Sequence, residues 1–255
     1  MKVKLMYDIE GIIKAYVGGK TCYSPDGPIE IYKDLQREIN SLKTEDNAVA
    51  RKRVEKFIER ILSMGHNSVI EHWNVTILVE GISRSLAMQL IRHRLASYSM
   101  QSQRYVTVNK MFEFVTPPKI AENPKLLENY QDAMRDSYAY YSKIYEGLLD
   151  NYLIEGIDKN KADKLAAEDA RYVLPNAITS NIVTTVNMRE LMHMMEERLC
   201  LRAQWEIRGL FKEIRKELLR DFPFMKKYLG PKCMFRPCTE EDDCDMKKAL
   251  SNDNE

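Results

Sequence analysis

Arginine, with histidine and small hydroxyl residues beside it, is the side chain whose placement in this sequence could do chemistry. Arg92-His93-Arg94 ends an otherwise apolar segment, and Arg104 follows ten residues after Arg94. Between them lies Leu95-Ala-Ser-Tyr-Ser-Met-Gln-Ser-Gln103, a loop rich in hydroxyls and amides. A guanidinium offers bidentate contacts to phosphate, and Ser and Gln give short polar contacts that fix orientation. The same residues also suit a basic helix end that complements its own dipole, followed by a plain polar loop. A second group, Arg189, His193, Arg198 and Arg202, is interleaved with Glu196, Glu197 and Glu206. Their spacing puts several on neighbouring helical faces, where Glu–Arg pairs are also ordinary surface stabilisers.

Other routes to chemistry are thinner. The four histidines are His66, His72, His93 and His193. His66 and His72 with Glu71 begin a metal site, but no H-E-x-x-H accompanies them and no metal is expected. Cys233, Cys238 and Cys244 form a loose thiol trio without C-x-x-C or a fourth ligand. The five cysteines, at 22, 200, 233, 238 and 244, suit reduced thiols. None has the neighbours of an activated thiolate, so covalent catalysis by cysteine is not expected. The ten glycines never form G-x-G-x-x-G or a P-loop, which leaves arginine to do much of any phosphate recognition.

The elements that must position these groups follow from periodicity. Val54, Phe57, Ile58, Ile61 and Leu62 predict a helix over Lys52–Met64, with Gly65 as its left-handed cap. The β-branched run Trp73–Val79 reads as a strand, and Ile82–Ile91 returns to helical spacing. Tyr105–Val108 and Phe112–Val115 read as short strands, closed by Pro117 and Pro118. Leu126–Leu149 is a long amphipathic helix whose stripe of Tyr130, Tyr138, Tyr141 and Tyr145 suits packing better than a cofactor box. Asp163–Val173 is a helix stopped by Pro175, and Ile178–Val186 is a strand. Asn187 then opens a helix as N-cap, with Glu190 placed to complete a capping box. Helical spacing continues toward Cys200 and resumes over Ala203–Leu219. The sum is a single α+β domain over 1–230, long helices packed on a small, mostly antiparallel sheet, with a polar, loosely held cysteine-containing tail over 231–255.

Composition narrows the partners. Of 255 residues, 44% are hydrophobic and 30% charged, as in an ordinary globular protein. Lys+Arg 39 against Asp+Glu 38 gives a net charge of +1, with no global attraction for nucleic acid or an anionic membrane. Met1–Gly11 lacks the apolar core of a secretory signal, and no run approaches the ~18 apolar residues of a spanning helix. The expected compartment is cytoplasmic, without nucleic acid or membrane as partner.

Several segments together resemble one family. RHRLASYSMQSQR at Arg92–Arg104, a pattern R-H-R-x7-S-x-R, resembles the signature of the flavin-dependent thymidylate synthases. GHNSVIEH at Gly65–His72, Arg171-Tyr-Val-Leu-Pro175, Thr185-Val-Asn187, and Arg198 to Ile207 resemble further segments of that family, in the family's order. The resemblance implies reductive methylation of dUMP to dTMP. Methylenetetrahydrofolate would be the carbon donor, FAD reduced by NADPH the hydride source, and tetrahydrofolate a product. It implies FAD contacts from His66, Ser68, Arg92, His93, Arg94, Met100, Asn187, Met188, Arg189 and His193. For dUMP it implies Gln89, Leu90, Ile91, Arg92, Met100, Gln101, Ser102, Gln103, Arg104, Arg171 and Arg198, with Ser102 and Arg104 at the phosphate. Arg198 is the implied catalytic residue, its cation polarising the uracil edge. A homotetramer with active sites shared between subunits is implied as well. Met100 stands where many relatives carry Glu, and His193 and Arg202 where some carry Asn and His.

Two readings from other classes compete. One is a metal-dependent nucleotide phosphohydrolase using His66, Glu71, His72 and His93. The other is a single-strand nucleic-acid binder using Arg92–Tyr105, with tyrosines for stacking. Bound oxidised flavin is expected of the flavin-dependent enzyme alone.

Overall fold

A computed structural model of the chain describes residues 1–6, 10–41, 47–105 and 110–238. Their contacts group into two compact units, each built from separated stretches of chain. The first comprises Met1–Lys2, Val79–Arg92 and Ser99–Val183; the second comprises Val3–Leu78, His93–Tyr98 and the chain from Thr184 onward. Among the described residues, β1 (Lys2–Met6), β2 (Asn74–Ser83), β3 (Ala96–Met100) and β4 (Thr179–Asn187) form one small antiparallel sheet ordered β1-β2-β4-β3. The architecture is the α+β one that the sequence pattern predicts, with helices dominant.

The second unit holds α1 (Glu10–Thr21), α2 (Pro28–Ser41), α3 (Asn47–Ser63), α8 (Met188–Arg198) and α9 (Trp205–Asp221). Gly65, at φ 78°, ends the chain path after α3 as a left-handed residue, the role its position predicts. A 3-10 turn over Asn67–His72 follows and leads into Trp73, which is fully buried and meets Phe222 edge-on at 4.7 Å. Ile12, Leu35, Ile58, Ile70, Met188 and Phe211 fill the same core. Three glycines in α1 lie close against neighbouring side chains, and a Cβ at Gly11 would lie 2.6 Å from Cδ1 of the buried Trp73. A Cβ at Gly18 would lie 2.7 Å from His72 Cδ2, and one at Gly19 would lie 2.8 Å from Phe57 Cε1.

The first unit holds α4 (Arg84–Leu90), α5 (Pro118–Ala121), α6 (Pro124–Ile154) and α7 (Lys159–Ala170). Ala162, Ala166, Ala167 and Ala170 are fully buried along one face of α7, and methyl side chains let α6 approach closely. The tyrosine stripe of α6 is packing. Tyr130 and Tyr138 lie against Phe112, Phe114, Met134 and Ile178, and Tyr141 stacks on Tyr145. Tyr145 donates to Asp163, which ties α6 to α7.

Several boundaries correct the sequence reading. β2 starts after Trp73 and runs on through Ser83, because Gly81 at φ 72° lets the strand bend before α4 begins. Ser83 caps α4, its Oγ accepting from Leu86 N, so the helix read over Ile82–Ile91 has only seven residues. The stretch read as a loop over Leu95–Gln103 contains β3. Phe112–Val115 is a single antiparallel bridge, Phe114 to Ile178, and of Tyr105–Val108 all but Tyr105 lies outside the described residues. The tail is held further than expected. Lys232–Met234 forms a 3-10 turn, and Arg236 Nη2 lies 3.0 Å from Glu196 Oε2. Residues 239–255, including Cys244, lie outside the described residues.

Candidate active site

Of the Arg92–Arg94 motif, the histidine is the residue the fold protects. His93 is 9% exposed, whereas Arg92 and Arg94 stand in solvent. Tyr98 Oη donates to the His93 carbonyl at 2.7 Å and pins the main chain there. The ring reaches both ends of α8. Arg198 Nε donates to His93 Nε2 at 2.9 Å, and His93 Nδ1 lies 3.9 Å from Glu190 Oε1. The His193 ring stands edge-on at 6.5 Å. Burial, then the Arg198 and His193 charges, push His93 down to about 4, so the imidazole is neutral at pH 7 and free to accept. Burial, then the Glu190 carboxylate, push the Tyr98 hydroxyl up to about 12, so it remains a donor.

The start of α8 is built as predicted. Asn187 Oδ1 accepts from Glu190 N at 2.8 Å, and Met188 N donates to the Trp73 carbonyl at 2.7 Å. Arg189 pairs with Glu71, which joins the helix start to the Asn67–His72 turn that carries Ser68. The Glu190 carboxylate faces His93 where sequence alone offered it as the return half of a capping box. His66 is exposed just before the turn, and its Nδ1 shares a hydrogen bond of 2.6 Å with Tyr23 Oη. The second unit thus holds His66, Ser68, His93, Arg94, Asn187, Met188, Arg189, His193 and Arg198.

The first unit holds Gln89, Leu90, Ile91, Arg92, Met100, Gln101, Ser102, Gln103, Arg104 and Arg171. Gln101 is anchored on β4 by its main-chain N–H, 2.9 Å from the Asn181 carbonyl. Ser102 Oγ accepts from Arg104 N at 3.2 Å. Arg104 Nε lies 2.7 Å from Glu168 Oε2, an ion-pair distance whose N–H direction misses a hydrogen bond. Arg171 lies near Arg84. Burial, then the Arg171 charge, lower Arg84 from its ordinary value, and Arg84 Nη1 reaches the Met100 sulfur at 3.2 Å. Leu90 and Met188 are core residues, 2% and 0% exposed, so only their main chains remain for a ligand.

Tyr23, Arg84 and Glu190 meet the candidate residues His66, Met100 and His93, and sequence reasoning missed them. A tyrosine ahead of the motif region, an arginine at a helix start and a glutamate at N3 carry no local signal of their partners. His66 Nδ1 is engaged by Tyr23, Glu71 by Arg189 and His93 Nε2 by Arg198. Among the described residues no group of three His, Cys, Asp or Glu side chains comes together to hold a metal ion. Among the same residues no helix is long and apolar enough to cross a membrane.

A helix-rich α+β fold that joins His93 to Arg198 and leaves Arg92 and Arg94 exposed offers cations that suit anionic ligands, and comparison with known proteins shows the family. Residues 7–224 match the family described as Thymidylate synthase complementing protein, and the chain belongs to that family. It is 43% identical over 221 residues to the flavin-dependent thymidylate synthase of Clostridium tetani, covering 87% of this chain and 83% of that one. The flavin-dependent thymidylate synthase of Geobacter sulfurreducens is 41% identical over 188 residues, 73% of this chain and 74% of its own. That of Sulfolobus acidocaldarius is 36% identical over 215 residues, 83% and 76%.

Proposed function

We propose that this chain carries out the reductive methylation of dUMP to dTMP. Methylenetetrahydrofolate serves as carbon donor, FAD reduced by NADPH as hydride source, and tetrahydrofolate leaves as product. The observation that carries the reading is the junction of two family segments, where neutral His93 of the Arg92–Arg94 motif accepts the Arg198 Nε hydrogen at 2.9 Å. That bond leaves both terminal nitrogens of Arg198 to a ligand. A guanidinium against the uracil O2 and N3 edge stabilises negative charge there, which favours loss of the N3 proton and polarises the ring.

The remaining residues suit anionic ligands. Arg92 and Arg94 are exposed, and their guanidinium groups suit a diphosphate. With His66, Ser68, His93, Met100, Asn187, Met188, Arg189 and His193 they would hold FAD. Bound and reduced, that group supplies the hydride. Gln89 to Arg92, Met100 to Arg104, and Arg171 would hold dUMP, with Arg84 beside Arg171 adding charge for its phosphate. We place this enzyme domain over 1–230, in a cytoplasmic homotetramer whose active sites are shared between subunits.

A visible spectrum of the purified protein, followed by assay of dTMP from dUMP, methylenetetrahydrofolate and NADPH, tests the proposal. Flavin absorption and dTMP formation are expected. A protein that takes up no FAD on titration, or a flavoprotein that forms no dTMP, overturns it.

A further inference from the structure

We infer that Glu190 is a positioning residue: by selecting the tautomer of His93, it sets the direction in which Arg198 presents its guanidinium. This role presupposes the reaction proposed above and deepens it at the same site. Glu190 lies in the first turn of α8 and Arg198 in its last. At about 1.5 Å per residue the two are separated by ~12 Å along the axis, and His93, entering from outside the helix, spans the interval. Its Nε2 receives the Arg198 Nε hydrogen at 2.9 Å, and its Nδ1 faces Glu190 Oε1 at 3.9 Å.

The protonation pattern follows from the donors. An arginine nitrogen has hydrogens and no lone pair to offer, so His93 Nε2 must be bare and the ring proton must sit on Nδ1. The opposite tautomer would set two N–H groups against each other. A carboxylate only accepts, so the Glu190 side chain favours a proton on the nitrogen that faces it. At 3.9 Å its action is electrostatic rather than a formed hydrogen bond, and with its side chain 11% exposed little water screens it. Both partners are held in place. Tyr98 Oη fixes the His93 carbonyl at 2.7 Å, and the Asn187 cap fixes the Glu190 main chain at 2.8 Å. With Nε engaged, the plane of the guanidinium is set, and its terminal nitrogens meet a ligand in one orientation.

Two substitutions in the flavin-loaded enzyme separate this role from a structural one. The carbonyl of Glu190→Gln can still accept from Nδ1–H but carries no charge, whereas Glu190→Ala removes the acceptor. Glu190→Ala is expected to lower kcat about tenfold or more, a barrier increase of ~1.4 kcal/mol, and Glu190→Gln to lower it less. Flavin content and the KM for dUMP should stay near wild type in both. A carboxylate that only supports the fold would cost flavin content and Tm along with kcat, so an unchanged kcat in Glu190→Ala, or a loss that tracks flavin content, overturns the inference. A second measurement reads the tautomer directly. In protein labelled with ¹⁵N-histidine, four histidines contribute, and His93 is identified by its loss in His93→Gln. A bare Nε2 and a protonated Nδ1 are expected at pH 7, and the same spectrum of Glu190→Ala should show a share of the opposite tautomer; a proton on Nε2 in wild type, or an unchanged tautomer in Glu190→Ala, overturns the role. Wild-type protein that forms no dTMP would refute the proposed reaction, and the comparison of the two tautomers would still decide whether Glu190 governs His93.

Discussion

His93 stays neutral because the fold denies its cation water and sets Arg198 and His193 against it. Its value is about 4 in the folded chain against an ordinary 6.5. Between those values the unfolded chain binds a proton that the folded chain does not, so this residue's contribution to stability rises with pH across the window. The stabilisation is present above about pH 6.5 and lost as pH falls toward 4. Between pH 7 and pH 5 the Tm of wild type should therefore fall further than that of His93→Gln; parallel declines would mean that His93 protonates freely. Arg198→Lys keeps the charge and loses the planar fork, so it should retain flavin and lose most methylation. Near-normal turnover at saturating dUMP would remove Arg198 from the mechanism. The arginines and His93 were legible in the sequence because residue type and spacing already mark them. Glu190 and Arg84 were not, because what they do depends on His93 and Arg171, which only the tertiary fold brings to them.

At the scale of elements, α8 connects the stability of the site to one side chain. Asn187 Oδ1 takes a hydrogen from the first turn, and losing an N-cap of this kind costs about 1 kcal/mol, more than an exposed surface change. Asn187→Ala should lower the urea midpoint accordingly and Asn187→Ser should restore most of it; equal midpoints for all three would show that the cap contributes nothing. Such helices were readable because long periodic stretches and a favoured cap agree with the packing they meet. α3, α6, α8 and α9 belong to that group. α1 went unread because Gly11, Gly18 and Gly19 look like helix breakers, whereas they admit Trp73, His72, Phe57 and Val69. β3 went unread because Ala96-Ser-Tyr-Ser-Met100 has small polar residues where a strand pattern calls for apolar ones.

At the scale of the molecule, the residues proposed for the nucleotide lie in the first unit except Arg198, and those proposed for the flavin lie in the second apart from Arg92 and Met100. If active sites are shared between subunits, Arg171→Ala and Arg198→Lys proteins, each inactive, should regain dTMP synthesis when co-expressed. No recovery in co-purified mixed oligomers would mean that one chain supplies both arginines. The interleaving of the units has a further effect during synthesis. Trp73 emerges from the ribosome early, but Met188, whose N–H bonds to its carbonyl, and Phe222, which packs against its ring, come more than a hundred residues later. The nascent amino-terminal third therefore carries half of a core whose other half does not yet exist. Folding of the second unit waits for those later residues, and an interrupted chain is left with an apolar face for chaperones or proteases to find.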